Sequence, residues 1–441
     1  MNGRRRFLQG LGATLAAGML PARAAEATGR DVVVIGAGSA GLAAAGSLVA
    51  AGLDVLVLEA RNRIGGRAHT DTQSVGVAWD RGCSWLHSSA ANPLVGVARA
   101  ADFEVFEDRY PRAVYDGARR LAEAEVAPLT ELSARISREI AAAGERGLDV
   151  AAELALSQAT RADPWFAMAA SASTAWEGVE FSNYSALDQH RYVAQGPDFL
   201  IRQGYGALLS QQGRELPLRL STPVSRVRWQ AAGATVDTPA GSLRTRAVVV
   251  AVPAPIVAQG ALVFSPGLSA EVLQAHHDLP LGLMNKVALR FKRSVFPAER
   301  TEFLRLRRND QRGMSYMTRL WDSNVCIGMS AGALAQELEG AGEAAAIDHA
   351  LGELTQMLGE GVRKHFDRGT ATAWASDPWS RGAYSHCVPG RFGARQLLGA
   401  PVAGRIVFAG EHTQQQAYGT CHGAWLSGLR AAGQVRALLG R

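Results

Sequence analysis

The chain has 441 residues, 47% of them hydrophobic and 20% charged, a composition that suits a globular protein of two domains and excludes a disordered one. Its formal net charge is +6, but four arginines (Arg4, Arg5, Arg6 and Arg23) lie within the first 24 residues, which contain no acid. The remainder has 42 basic and 40 acidic residues, a net charge of +2, and no basic stripe with interleaved aromatic residues. Nucleic-acid binding is therefore not expected.

The first 24 residues are predicted to be an export signal. Residues 4–8 resemble the twin-arginine pattern R-R-x-F-L, a mildly apolar run follows at 11–20, and residues 22–24 form a small-x-small cleavage site. A basic start before an ordinary helix is the alternative. Because the apolar run is too short to span a bilayer well, we expect a protein exported folded to the periplasm, with no stable membrane anchor after cleavage.

Residues 32–67 contain the strongest local pattern. A β-branched run leads into Gly36, Gly38 and Gly41, which have the G-x-G-x-x-G spacing of a strand, a tight turn and a helix. The first glycine allows the turn, the second lets the backbone approach a pyrophosphate, and the third lets the helix lie close to the strand. Glu59 ends a second apolar run about 20 residues later, where a carboxylate binds ribose hydroxyls. The pattern predicts a dinucleotide site.

Other elements follow from periodicity. Residues 95–200 are predicted to be helical, most clearly 121–143. Strands are predicted at 223–227, 247–253, 281–289, 303–306 and 325–329, and the uniformly apolar run at 247–253 is typical of a buried parallel strand. The cysteines show no metal-binding spacing, so mostly buried free thiols are expected, with one disulfide left open; they are Cys83, Cys326, Cys387 and Cys421.

Five separated stretches resemble the FAD-dependent amine oxidase superfamily, in particular its branch of polyamine oxidases and lysine-specific histone demethylases. They are E-A-R-N-R-I-G-G-R at 59–67, G-C-S-W-L-H at 82–87, G-L-M-N-K-V at 282–287, W-A-S-D-P-W-S-R-G-A-Y-S at 374–385, and G-E-H-T with T-C-H-G-A at 410–413 and 420–424. Ala383 stands where monoamine oxidases have a cysteine bonded to the flavin, so the resemblance implies non-covalent FAD. The cofactor-binding residues that it implies are Gly36, Gly38, Ser39, Ala40, Gly41, Glu59, Ala60, Arg61, Gly66, Arg67, Val224, Gly410, Glu411, Thr420 and Cys421.

The same resemblance implies two catalytic residues and a substrate pocket. Lys286 is expected to hold a water at flavin N5, and Tyr384 to form an aromatic wall at the flavin face. Substrate contacts are expected from His87, Glu180, Tyr384, Tyr418 and Thr420. Glu177 is the alternative to Glu180, and either carboxylate is alternatively a solvated helix residue. Tyr418 departs from the family position of the second aromatic wall, which leaves the shape of the pocket open.

The implied fold class is α/β (α+β), with a discontinuous Rossmann-like FAD-binding domain and a substrate-binding domain of mixed sheet and helices. The boundaries expected for the FAD-binding domain are 30–92, 203–262 and 395–441. The substrate-binding domain is expected at 93–202 and 263–394.

The implied activity is oxidation of amines, with polyamines the expected substrates. A hydride passes from the carbon next to nitrogen to flavin N5, and the imine is hydrolysed to an aldehyde and a smaller amine. Electrons then pass to O2, giving H2O2, or to a periplasmic carrier. Three alternatives remain open: an amine dehydrogenase using a cytochrome or quinone, an L-amino-acid oxidase, and a non-catalytic flavin-binding protein. No metal is expected, and the sequence does not indicate the oligomeric state.

Overall fold

The computed structural model describes residues 29–441, so the predicted export signal lies outside the described residues. No helix in this part of the chain is long and apolar enough to cross a membrane. The strands are β1 (Arg30–Ile35), β2 (Val55–Leu58), β3 (Thr70–Asp71), β4 (Trp79–Asp80), β5 (Trp85–Leu86), β6 (Val105–Glu107), β7 (Arg112–Asp116), β8 (Arg119–Arg120), β9 (Phe199–Ile201), β10 (Leu218–Arg219), β11 (Arg226–Gln230), β12 (Gly233–Thr238), β13 (Gly241–Val250), β14 (Val263–Ser265), β15 (Leu281–Gly282), β16 (Met284–Phe291), β17 (Glu302–Leu306), β18 (Ser315–Thr318), β19 (Val325–Ala331), β20 (Phe366–Ala371), β21 (Tyr384–Ser385) and β22 (Ile406–Phe408). The helices are α1 (Ser39–Ala50), α2 (Pro93–Ala100), α3 (Glu123–Glu145), α4 (Ala152–Ala155), α5 (Gln158–Arg161), α6 (Phe166–Glu177), α7 (Ala186–His190), α8 (Tyr205–Gly213), α9 (Ala254–Ala258), α10 (Ala270–His277), α11 (Gly332–Ala341), α12 (Glu343–Leu358), α13 (Gly361–His365), α14 (Ala394–Leu398) and α15 (Cys421–Leu438).

The first sheet has eight strands in the order β10-β2-β1-β13-β12-β11-β14, with β22 also paired to β13. Val32 and Val34 of β1 face a core that includes α1, α8 and α15. Val33 and Ile35 face the opposite core, which includes α9, α10 and α14. Because both faces are covered, residues 32–35 of β1 are all apolar rather than alternating. The buried strand predicted at 247–253 corresponds to β13, which runs parallel to β1 as predicted.

The second sheet has seven strands in the order β20-β16-β19-β18-β17-β7-β8. Val287 and Leu289 of β16 pack in one core with residues of α11 and α12. Ala288 faces the opposite core, which includes Trp79 and Phe303. Since successive residues of a strand point to opposite faces, Lys286 projects on the same side as Ala288. This alternation directs the lysine toward the segment of residues 80–85.

Residues 95–200 are not all helical, which corrects the prediction. Strands β6, β7 and β8 interrupt the region, and β7 pairs parallel with β17, far along the chain. Short strands whose partners are remote in sequence have no local periodic signal to reveal them.

The first core also extends past two predicted domain boundaries. Residues of α2 pack in it beyond position 92, and β14 joins the first sheet beyond position 262. The division into two domains itself stays a prediction.

Candidate active site

A cavity of about 440 Å³ lies between the carboxyl ends of β1 and β2 and the second sheet. Ligands of open α/β sheets bind at this edge of the strands. Fourteen of the fifteen residues predicted to bind the cofactor line the cavity; Gly41 is the exception. Predicted catalytic and substrate residues also line it, namely His87, Lys286, Tyr384, Tyr418 and Thr420.

The glycine turn shapes one end of this cavity. Gly36 has φ +103°, and a Cβ there would lie 2.7 Å from the carbonyl oxygen of Ala251. A Cβ on Gly41 would lie 1.8 Å from the carbonyl oxygen of Gly36, so Gly41 acts through helix–strand packing, as its spacing predicts. Gly38 precedes α1, and no side chain caps that helix. The first N–H groups of α1 therefore remain available at the cavity, an arrangement that fits a pyrophosphate.

Glu59 and Arg61 follow β2 at the same end. The Glu59 side chain is buried, and its two oxygens accept hydrogen bonds from the backbone N–H groups of Ala37 (2.7 Å) and Arg61 (2.8 Å). Each oxygen keeps a second acceptor position, so the carboxylate fits ribose hydroxyls. The Arg61 guanidinium donates to Asp377 (2.5 Å) and Ser380 (2.8 Å) through one nitrogen. Its other donors fit the cofactor-binding role predicted for it.

Glu411 joins three segments of the chain. Its carboxylate accepts from Arg67 (2.9 Å), from the backbone N–H (3.2 Å) and hydroxyl (2.6 Å) of Ser385, and from the N–H of Gly419 (2.9 Å). Burial alone would raise the pKa of Glu411, but Arg67 and the Ser385 hydroxyl help to lower it to about 2. All four acceptor positions are occupied, so this carboxylate holds the walls of the cavity in place. A direct bond from Glu411 to FAD stays a prediction.

Lys286 is buried and bound by one loop. Its Nζ donates to the carbonyl oxygens of Asp80 (2.9 Å) and Gly82 (2.6 Å) and to the hydroxyl of Ser84 (2.5 Å), and it lies 5.6 Å from the ring centroid of Trp85. Burial lowers the pKa of Lys286 to about 8, against the opposing charge of Asp80. These three bonds use every hydrogen of the ammonium group. A water at Lys286 therefore either replaces one partner or binds the neutral amine.

Tyr384 and Tyr418 both line the cavity and are both anchored to the end of α6. The Tyr384 hydroxyl donates to the carbonyl oxygen of Ala175 (2.6 Å), and the Tyr418 hydroxyl contacts both carboxylate oxygens of Glu177 at 3.2 Å. The guanidinium of Arg395 lies 4.1 Å from the centroid of the Tyr418 ring. The unusual sequence position of Tyr418 thus still places a second aromatic ring on the cavity.

Glu180 does not line the cavity, contrary to the substrate contact predicted for it. One of its oxygens accepts a hydrogen bond from the N–H of Ala333 (2.8 Å) in the first turn of α11. Gly178 ends α6 with φ +77°, and the turn carries Glu180 away toward α11. Glu177, the alternative, lies behind Tyr418, and burial, followed by the charge of Asp188, raises its pKa to about 7. Neither carboxylate lies on the cavity surface.

The start of α15 closes the cavity near the glycine turn. Thr420 is its N-cap, accepting from the N–H of Gly423 (3.0 Å) and donating to the carbonyl oxygen of Ala417 (2.7 Å). Cys421 begins the helix, and its carbonyl oxygen accepts from the Ser39 hydroxyl (2.8 Å). All four cysteines lie within residues 29–441 and are free thiols. No cluster of metal-binding side chains occurs in this part of the chain.

Two carboxylates that the sequence analysis did not select line the other end of the cavity. The indole N–H of Trp85 donates to Asp108 (3.1 Å), and His87 Nδ1 lies 2.8 Å from an oxygen of Asp198. The two aspartates are neighbours, because the N–H of Asp108 donates to the carbonyl oxygen of Asp198 (2.8 Å). The Asp108 side chain is 8% exposed, and its Oδ1 has no hydrogen-bond partner within the described residues. Since Trp85 also contacts Lys286, the carboxylates lie one indole ring beyond the lysine.

Residues 39–436 match the family described as flavin containing amine oxidoreductase. Polyamine oxidase 4 of Oryza sativa subsp. japonica is 30% identical over 438 residues, covering 92% of this chain and 88% of the relative. Polyamine oxidase 2 of Arabidopsis thaliana is 29% identical over 437 residues with the same coverage. Lysine-specific histone demethylase 1 homolog 2 of Oryza sativa subsp. japonica is 29% identical over 462 residues, covering 94% of this chain and 58% of the relative.

Among solved structures, wild-type putrescine oxidase bound to putrescine has a TM-score of 0.77 with this chain at 22% identity, covering 92% of this chain and 99% of the other. That likeness shows a shared fold. The family match spans most of the chain, and the glycine turn, the lysine and the paired tyrosines occupy one cavity. The chain therefore belongs to the flavin-containing amine oxidoreductases and is an FAD-dependent amine oxidase.

Proposed function

We propose that this enzyme oxidises diamines and polyamines, whose second ammonium group binds Asp108 and Asp198. The observation that carries the proposal is the pair of carboxylate residues, Asp108 and Asp198, that line the cavity. Asp108 Oδ1 is buried and has no hydrogen-bond partner within the described residues. A buried carboxylate oxygen without a partner is costly unless a ligand supplies a donor. An ammonium group supplies both the charge and up to three donors. The polyamine oxidases among the relatives agree with this choice of substrate.

The neighbouring side chains suit a substrate that is charged at one end and neutral at the other. Tyr384 and Tyr418 offer ring surfaces to hold the reacting carbon. Lys286 Nζ lies 5.6 Å from the Trp85 ring, whose N–H donates to Asp108. When bound, FAD accepts a hydride from the carbon next to the amine nitrogen. Burial and the hydrogen bond from His87 act oppositely on Asp198, and the net effect lowers the pKa of that carboxyl group. Asp198 is therefore anionic at neutral pH, as binding of a cation requires.

The test compares Asp108→Asn and Asp198→Asn with wild type on putrescine, spermidine and a simple monoamine. Loss of a buried charge partner costs about 2 kcal/mol or more, so KM for the diamine should rise roughly 30-fold, with little change for the monoamine. Asp116→Asn, at an exposed side chain of β7, is the matched control. Equal changes for diamine and monoamine would remove the proposed role of the aspartates.

The same experiment, run anaerobically and then opened to air, tests the electron acceptor. We propose O2 as the acceptor, so a flavin bleached by amine should recover its colour quickly in air and release H2O2. Slow recovery would favour a periplasmic carrier. Bleaching by amino acids alone would favour an L-amino-acid oxidase. Arg112 would then be the candidate that binds the substrate carboxylate, because it lines the cavity beside Asp108.

We also propose that FAD is bound without a covalent link. The support is the methyl side chain of Ala383 on the cavity wall, which offers no nucleophile. Acid precipitation should leave the yellow colour in the supernatant, and colour retained by the pellet would contradict the proposal.

Export by the twin-arginine route is a separate proposal that rests on residues 1–24. Replacing Arg4 and Arg5 together by lysine should keep the protein in the cytoplasmic fraction, whereas the same change at Arg23 and Arg30 should not. Periplasmic recovery of the first variant would refute it.

A further inference from the structure

A second cavity, of about 30 Å³, lies against the cofactor cavity. Four residues line both cavities and so form their common wall: Ser84, Trp85, Lys286 and Met329. A single water needs roughly 10–15 Å³, so the second cavity is large enough for a diatomic molecule. A molecule in it is separated from the cofactor cavity only by these side chains.

Most of the remaining wall is apolar. Its aliphatic side chains come from β9, β18, β19 and the turn before β19, and they are Leu200, Ile201, Met317, Leu320 and Ile327. Three tryptophans also line it, namely Trp79, Trp85 and Trp321. Each indole N–H already donates a hydrogen bond of 3.0 or 3.1 Å to a partner in the protein. The rings therefore have no N–H left for a water.

The polar side chains on the wall are also satisfied. Lys286 donates all three of its ammonium hydrogens within residues 80–84. The Asp80 carboxylate accepts from the Thr70 hydroxyl (2.6 Å) and from the N–H of Tyr205 (3.0 Å). Within residues 29–441, no side chain that lines this cavity has a buried polar atom without a partner. Since a buried water needs about two to four polar partners, the cavity is expected to stay dry.

We propose that the second cavity binds O2 and passes it to the reduced flavin beside Lys286. O2 is small and apolar, and a dry apolar cavity binds such molecules because they displace no hydrogen-bonded water. Met329 pairs directly with Lys286 between β19 and β16, so both side chains lie on the same face of the sheet. A methionine side chain is flexible enough to open a path between the two cavities. The proposal rests on O2 as the electron acceptor proposed above.

This arrangement gives the two substrates separate places. The amine is held in the cofactor cavity, between the paired tyrosines and the two aspartates, whereas O2 approaches from the other side of Lys286 and Met329. Blocking the second cavity should therefore slow reoxidation of the flavin and leave its reduction by amine unchanged.

The first test uses the wild-type holoenzyme and xenon, an apolar atom that binds in dry cavities. Crystals under xenon gas should show an anomalous scattering peak between Lys286 and Ile327. In solution, dissolved xenon should slow reoxidation of amine-reduced flavin at limiting O2, because the two gases compete for one site. Absence of xenon from this cavity would overturn the proposal.

The second test fills the cavity. Ile327→Phe should lower the second-order rate of reoxidation by O2 roughly tenfold, about the change in occupancy that two CH2-sized apolar groups produce. Leu306→Phe adds similar bulk to the core on the opposite face of the same sheet and is the matched control, with an unchanged rate. Stopped-flow absorbance measures reoxidation and, separately, reduction by amine, which both variants should retain.

The outcomes separate this proposal from the one on which it rests. Fast recovery of the wild-type flavin in air, with no effect of xenon or of Ile327→Phe, would overturn the O2 route alone. Slow recovery of the wild-type flavin would overturn both O2 as acceptor and the route. If Ile327→Phe does not fold, competition by xenon in the wild-type protein decides the question.

Discussion

The two ends of the active-site cavity are built differently. The cofactor end is mostly backbone from one contiguous stretch: the glycine turn, the start of α1, and Glu59 at the end of β2. The amine end consists of side chains from remote segments, with Trp85, Asp108, Asp198 and Tyr418 converging from β5, the ends of β6 and β9, and the loop before α15. The difference teaches that a ligand held by backbone shape leaves a local signature in sequence. A ligand held by side chains from remote segments leaves no such local signature, because its site forms only when those segments meet in the fold.

The largest effect is expected from adding a single methyl group at the cofactor end, at Gly41. Gly41→Ala places a Cβ about 2 Å from the Gly36 carbonyl, so α1 cannot pack on β1, and FAD binding should be lost or the protein should not fold. Gly46→Ala, in the same helix, meets no atom within 4 Å and should retain FAD with about 1 kcal/mol of added stability. Absorbance of bound flavin and thermal unfolding measure both. Full FAD content in the Gly41 variant would contradict the packing argument.

Lys286 lines the same cavity and is expected to control the rate of the flavin reaction. Lys286→Met should slow flavin reduction or reoxidation about 100-fold, whereas Lys292→Met, at an exposed position, should not. Because the pKa of Lys286 is about 8, the wild-type rate should change with pH near that value and the Lys286 variant should lose this dependence. Stopped-flow absorbance across pH 6–10 gives both results. Retention of the pH dependence in Lys286→Met would assign it to another group.

The smallest expected effect concerns Glu177, behind the amine end. Its folded-state pKa of about 7 lies above the ordinary value, so the folded protein keeps a proton that the unfolded chain releases. Stability therefore falls as pH rises from about 4.5 to 7, by at most about 3 kcal/mol from this group, and the loss is complete above 7. Glu177→Gln should remove this part of the decline in unfolding temperature between pH 5 and 8. An unchanged pH dependence would show that Glu177 ionises normally.

Sequence reasoning succeeded where the fold is local. The glycine turn, β13 parallel to β1 and the strand that carries Lys286 were all predictable from short stretches, and the predicted cofactor residues other than Gly41 line one cavity. Sequence reasoning failed where strands pair with partners far along the chain. Asp108 and Asp198 meet only because β6 pairs with β9, and β7 is a strand because of β17.

Glu180 lies off the cavity for a different reason. A motif that resembles a family fixes the residue type at a position, but the direction of the side chain depends on the turn at Gly178, which directly follows Glu177 and lies two residues before Glu180. That turn sends Glu180 to cap α11 and leaves Glu177 bonded to Tyr418.

The anchoring of both cavity tyrosines to α6 has a consequence for how this enzyme diversifies. Residues 166–177 contribute nothing to the glycine turn, yet their last turn fixes the positions of the Tyr384 and Tyr418 rings. Substitutions along this helix can shift the two rings together and change which amines fit between them, while the glycine turn at the cofactor end stays unchanged. Directed evolution of new amine selectivity can therefore begin from a library confined to one twelve-residue helix.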